Sequence, residues 1–145
     1  MHNKTSHRLA ILSLAISFAM VLAIGFMLNF PLKAWEITNL NENGRLDVMG
    51  DEFTVGDNVP VYMEFCKTVQ VPGELSIQFQ NDIIYTLTPK FGDSEVGCRS
   101  NVSGSAVVPN GLPLGEYHIK YIWKHRVNIF RTVTEVAETE SFNIK

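Results

Sequence analysis

Leu9 to Phe30 is a run of 22 residues, LAILSLAISFAMVLAIGFMLNF, without one charged side chain. At about 1.5 Å per residue, a helix of this length covers roughly 33 Å, enough for a hydrocarbon core of about 30 Å. The run is apolar on every side, whereas a helix packed on a soluble core keeps a polar face. Pro31 follows at once and disfavours helical geometry at Phe30, so the helix is expected to end there. Trp35 lies just beyond, where an aromatic ring can sit among lipid headgroups.

The flanks of the run set its orientation. Lys4, Arg8 and the α-amino group precede it, with His2 and His7 nearby, while Lys33 on the other side is offset by Glu36. The positive-inside bias therefore places the amino terminus in the cytoplasm and the remainder across the membrane. A cleaved signal peptide is the alternative. Lys4 and Arg8 supply its basic region, and Ala23-Ile24-Gly25 offers small residues for a peptidase. Signal peptides carry apolar stretches of about 7–15 residues. The longer run here favours an uncleaved anchor, and both readings export the rest of the chain. The expected organisation is a cytoplasmic tail over 1–8, a transmembrane helix over 9–30, a linker over 31–33 and one exported domain over 34–145. Within the anchor, Ala15, Ala19 and Ala23 are spaced by four, a small-residue pattern that allows close helix approach and suggests a homo-oligomer through the helix.

The whole chain has 145 residues and a net charge of −3. That excludes a globally basic nucleic-acid binder, and no nucleic-acid partner is expected. Cys66 and Cys98 are the only cysteines. An even count in an exported domain suggests a disulfide. A loop of this size gives roughly 3–4 kcal/mol of stabilisation by chain entropy. A catalytic thiol would need a base, and the four histidines, at 2, 7, 118 and 125, all lie far from both cysteines in sequence.

Beyond Ala34 no long helical periodicity appears. Short alternating or β-branched runs are separated by turn signals. Strands are expected at 34–39, 59–69, 74–80, 83–88, 101–108, 116–124 and 130–136, with short edge pieces at 46–48 and 52–55. Phe142 and Ile144 extend the last strand after a bulge. The run 89–97 reads as a polar loop. The clearest alternation is in 116–124, where Tyr117, Ile119, Tyr121 and Trp123 alternate with His118, Lys120, Ile122 and Lys124. One face of that strand is expected to be buried and the other wet. Seven or eight such strands in about 110 residues point to an all-β, antiparallel β-sandwich.

Two stretches carry a resemblance. Val108-Pro109-Asn110-Gly111-Leu112-Pro113-Leu114-Gly115-Glu116-Tyr117, leading into the alternating strand, resembles the approach to strand F in immunoglobulin-like and fibronectin type III domains. The resemblance implies that Tyr117 is the tyrosine that closes a corner by bonding upstream backbone. Phe53-Thr54-Val55-Gly56-Asp57 resembles the A-to-B turn of bacterial immunoglobulin-like modules. The antibody-type bridge joins strands B and F. Here Cys66 falls on the expected B strand and Cys98 just before the expected E strand, so the bridge is a different one.

No set of residues announces catalysis. Asp93, Ser94 and Glu95 offer two carboxylates where calcium takes about 6–8 oxygens, and Asp51, Glu52 and Asp57 are no better. His118 and His125 lie on opposite parities of one strand, unsuited to a shared metal. No glycine-rich phosphate loop runs from a strand into a helix. No metal or other cofactor is expected. Asn101-Val102-Ser103 is a glycosylation sequon, relevant only in a eukaryotic secretory pathway. A cationic strip remains: Lys120, Lys124, Arg126 and Arg131, with His118 and His125 beside it. It either pairs with Glu135, Glu138 and Glu140 of the next strand or contacts anionic lipid or a partner protein. The linker of three residues keeps the domain within about 10–15 Å of the bilayer. In a fibronectin-like topology, the loop 124–130 then lies at the membrane end. The expected function is a membrane-anchored, non-catalytic interaction or structural module on the non-cytoplasmic face of a cell-envelope or virion membrane. The alternatives are a secreted binding module released by signal cleavage and an envelope hydrolase.

Overall fold

The computed structural model describes residues 3–29, 33, 35–92, 95–103, 106–128 and 131–145. It opens with one helix, α1 (Asn3–Asn29). Its stretch His7–Asn29 is long and apolar enough to cross a membrane, and none of it is buried inside the protein. A signal sequence at the amino terminus has the same properties. Gly25 is half-buried; the other described side chains of α1, from His7 onward, are exposed.

Everything after α1 is β structure and connections. The strands are β1 (Trp35–Ile37), β2 (Glu52–Phe53), β3 (Asn58–Val59), β4 (Tyr62–Lys67), β5 (Gly73–Gln80), β6 (Ile84–Thr86), β7 (Lys90–Gly92), β8 (Gly97–Ser103), β9 (Ala106–Val107), β10 (Gly115–Asn128), β11 (Arg131–Glu138) and β12 (Phe142–Ile144). One sheet runs β1-β4-β8. A second runs β2-β12-β10-β5-β6, with β11 also on β10 and β7 also on β5. β3 and β9 form a small ribbon. The predominantly β domain on one amino-terminal helix matches the expectation from sequence.

The two large sheets share one apolar core. The first contributes Trp35, Met63 and Phe65; the second contributes Ile77, Phe79, Tyr117, Ile119, Tyr121, Trp123, Phe142 and Ile144. Trp35 and Trp123 meet edge to face across the layers, with ring centroids 4.2 Å apart. The alternation read in 116–124 is the reason: all four odd residues are buried, because successive strand residues point to opposite faces. Parity also overturns one expectation. Trp35 is no headgroup anchor; it is 5% exposed and packs on Phe65 and Trp123.

Several boundaries differ from the sequence reading, each for a local reason. The run 59–69 is split, because Pro60 has no amide hydrogen for a ladder; β3 ends before it and β4 begins after it. The loop 89–97 contains a short strand, β7, whose Lys-Phe-Gly lacks any alternation. β8 starts at Gly97, four residues earlier than expected, so Cys98 lies inside that strand. β10 runs four residues past Lys124, so most of the expected loop 124–130 is strand. Its last two residues, Ile129 and Phe130, lie outside the described residues, as do Pro31, Asp93 and Ser94. The expected bulge before Phe142 is present: pairing advances by one residue between Lys120↔Glu138 and Tyr117↔Phe142.

Cys66 and Cys98 are disulfide-bonded. They sit directly opposite each other on β4 and β8. The bridge is therefore a staple within one sheet and does not join the two layers.

Candidate functional site

The end of the domain next to α1 is built from the finish of β10. The last carbonyls of any helix have no amide partner four residues on. Two of those in the final turns of α1 are capped by asparagine side chains. Asn29 Nδ2 donates to the Gly25 carbonyl at 2.8 Å, and Asn128 Nδ2, from the far strand end, donates to the Met27 carbonyl. The linker is held as well. Thr68 Oγ1, just after β4, donates to the Lys33 carbonyl at 2.6 Å. Lys33 Nζ pairs with Glu36 at 2.6 Å. That carboxylate, with Glu135 further off, holds the Lys33 ammonium above its usual pKa. The β10–β11 hairpin thus lies against the carboxyl end of α1, and Lys145, beside Glu52 and Phe53, lies at the opposite end of the domain.

The four cations of the strip separate. Lys120 is half-buried and bonds Glu138 at 3.0 Å, which holds the Glu138 carboxyl below its usual pKa. Lys124 and Arg126 are exposed, and neither forms an ion pair with a described residue. Their partners on β11 are Thr134 and Thr132, not glutamates. On its other side Lys124 faces Glu74 of β5. Arg131 is level with Asn128 at the start of β11. The glutamate pairing weighed from sequence therefore holds for Lys120. Glu135 lies opposite Trp123 on the inward-facing parity, and Glu140 accepts a bond from Asn41 Nδ2 at 2.7 Å. Phe91, opposite Glu74, is 79% exposed on the same outer face as Lys124.

His125 leaves the strip altogether. Its odd parity turns it inward, where it is 6% exposed and 6.0 Å from the Trp35 ring centroid. It lies so close to Gly73 that a Cβ there would be 2.6 Å from its ring. Neither ring nitrogen finds a partner among the described residues. Burial, with the Lys67 ammonium adding to it, lowers the His125 pKa. Lys67 is itself buried and donates to the Val71 carbonyl at 3.1 Å. The parity that shows this was legible in the sequence. The alternation simply continues two residues past Trp123.

The opposite end carries a hollow of about 480 Å³ lined by Gln80, Asn81, Asp82, Leu114, Glu116, His118 and Ser141, among others. Beside it the β5–β6 turn exposes Ile83 and Ile84, at 59% and 62%. Sequence reasoning singled out neither, because isolated isoleucines on a short strand look like core residues. Among the described residues no three His, Cys, Asp or Glu side chains converge as they would around a metal ion. The carboxylates weighed for calcium have other partners: Asp57 accepts from Thr54 N and Oγ1 at 2.7 and 2.8 Å, and Glu95 pairs with Arg99 at 3.0 Å. The Thr54 bonds hold the Asp57 carboxyl below its usual pKa.

Tyr117 is buried, yet its hydroxyl makes no hydrogen bond to a described residue, so the corner bond implied by the resemblance is not seen. Ala15, Ala19 and Ala23 share one side of α1 and are exposed, like the rest of the helix surface. His118 and His125 point to opposite faces, and the side chain of Asn101 lies outside the described residues. No protein-family model and no curated protein sequence matches the chain.

Proposed function

We propose that the protein is a signal-anchored, single-pass membrane protein, amino terminus cytoplasmic, whose immunoglobulin-like domain serves as a non-catalytic interaction module on the non-cytoplasmic face of a cell-envelope or virion membrane. The observation that carries the anchor is the exposure of α1. The domain core leaves its apolar side chains uncovered. In water that surface is costly at about 25 cal/mol per Å², and a bilayer removes the cost. The strand order supports the finer architecture. β1, β4 and β8 follow the A, B, E order of immunoglobulin-like domains, and β11, β10, β5 and β6 follow G, F, C, C′. The end carrying Ile83, Ile84 and the polar hollow faces away from the anchor, which suits it to a protein partner in the same envelope.

The test is alkaline carbonate extraction of native membranes, followed by the intact mass of the chain. Retention in the pellet with residues 9–30 still attached is the expected result. A soluble product beginning after Ala23 or Gly25 overturns the anchor and leaves the secreted module.

A further inference from the structure

We infer that the β10–β11 hairpin is a lipid-headgroup contact: Arg126, seconded by Lys124, binds anionic lipid phosphates beside the point where α1 leaves the bilayer. The inference rests on the anchored reading above and deepens it by naming a ligand for this end of the domain.

Depth comes first. From Arg8, the last charge before the apolar run, to Met27 is 19 residues, or about 28 Å of helix. That nearly equals a hydrocarbon core of about 30 Å. The Met27 carbonyl therefore sits at the outer boundary of the hydrocarbon. It is also one of the carbonyls that the helix cannot satisfy itself, at a depth where an unpaired backbone group is expensive. Asn128 supplies the donor. That bond fixes the end of β10 at headgroup level without any assumption about linker flexibility. The Thr68 bond to the Lys33 carbonyl restrains the same end from the other sheet.

Charge comes second. At about 3.3 Å per strand residue, Arg126 stands roughly 7 Å above Asn128 and Lys124 roughly 13 Å above it. The first is within a Debye length of the headgroup plane, about 8 Å at physiological salt, and the second is brought near by its side chain. Neither has an ion-pair partner among the described residues, and Lys120, further up, is already matched by Glu138. The other charges at this end are arranged to leave that pair uncancelled. Lys33 and Glu36 neutralise each other, Glu135 acts on Lys33, and Lys67 is buried. Glu74, opposite Lys124, is the one carboxylate aligned with the pair, which makes Arg126 the stronger contact. Phe91, exposed in the same row as Lys124 and Glu74, adds an aromatic ring to that face. A cation–aromatic end, set at headgroup depth, fits an anionic lipid surface better than a protein groove.

The experiment uses the full chain in nanodiscs of phosphatidylcholine with and without phosphatidylglycerol. Two photoactivatable lipids are compared, one reactive in the headgroup and one in the acyl chain, and labelled peptides are read by mass spectrometry. The acyl probe should label residues 9–28 in both compositions. The headgroup probe should label residues 121–131 several-fold more when phosphatidylglycerol is present. Each cation near such a surface is worth about a fivefold change in contact. K124E/R126E should therefore abolish the difference, R126Q should reduce it, and high salt should reduce it in the wild type. An unreduced Cys66–Cys98 bridge and an unchanged melting temperature show that the variants are folded. Equal headgroup labelling in the two lipids, or labelling untouched by K124E/R126E, overturns the inference while leaving the anchor standing. Headgroup labelling at residues 80–86 instead overturns it by placing the other end at the membrane. Absence of acyl labelling overturns the anchor and this inference together.

Discussion

His125 is a neutral imidazole enclosed by the Trp35 ring, the Gly73 backbone and the Lys67 ammonium. Its pKa is lower in the fold than in the unfolded chain, where it is about 6.5. The unfolded state thus takes up the proton first as pH falls. The stability from the neutral ring is fully present above about pH 6.5 and is lost as pH drops from there toward the folded pKa. Thermal melts at stepwise lower pH should show this decline, and His125→Gln should flatten it in that window. Steric space makes the same point at Gly73. A Cβ there would be 2.6 Å from Cε1 and 2.7 Å from Nδ1 of a ring with no room to retreat. Gly73→Ala should cost about 1–3 kcal/mol by urea denaturation, although its conformation is open to any residue. Neither effect was visible in composition. His125 reads as a cation in a basic stretch until its parity with Trp123 is traced. Trp35 likewise reads as an interfacial aromatic until its pairing with Lys67 and contact with Trp123 are known.

Among the elements, β10 was the most legible. Its odd residues are large and apolar and its even ones polar over the whole core span, so burial could be assigned before any pairing was known. What could not be read was its partner set. Pairing with β5, β11 and β12 depends on long-range register, which local alternation does not encode. β7 and β2 were obscure because two or three residues cannot display a period. The disulfide was legible as a pair and its setting was not. It bridges neighbours in one sheet because β8 begins at Gly97, where the sequence suggests a loop. With 32 residues between the cysteines, Cys66→Ala with Cys98→Ala should remove about 3–4 kcal/mol, read by denaturant titration under non-reducing conditions. Lys120→Ala, by contrast, should cost less than about 1 kcal/mol, since its bond to Glu138 is partly solvated.

At the scale of the molecule, helix and domain depend little on each other. α1 has no buried stretch inside the protein, and the core is drawn wholly from residues after the linker. A chain beginning at Lys33 should therefore fold with its bridge formed and melt within a few degrees of the full chain in detergent, as monitored by circular dichroism. A collapse of the melting transition would mean that the Asn128 cap on Met27 does more than position the hairpin.

The opposed placement of anchor and carboxyl end has a mechanical meaning. The chain enters the domain beside the hairpin and leaves it at Lys145, whose amide bonds the Phe53 carbonyl at 2.9 Å. A tension between membrane and a partner held at that far end would run along the strands. β12 lies parallel to β2 and antiparallel to β10, so such a pull would slide these strands lengthwise. Their ladder bonds would have to yield together, whereas a sideways pull would peel them one by one. The same 14-residue strand that closes the core then acts as the tie-rod of a domain suspended from its own anchor.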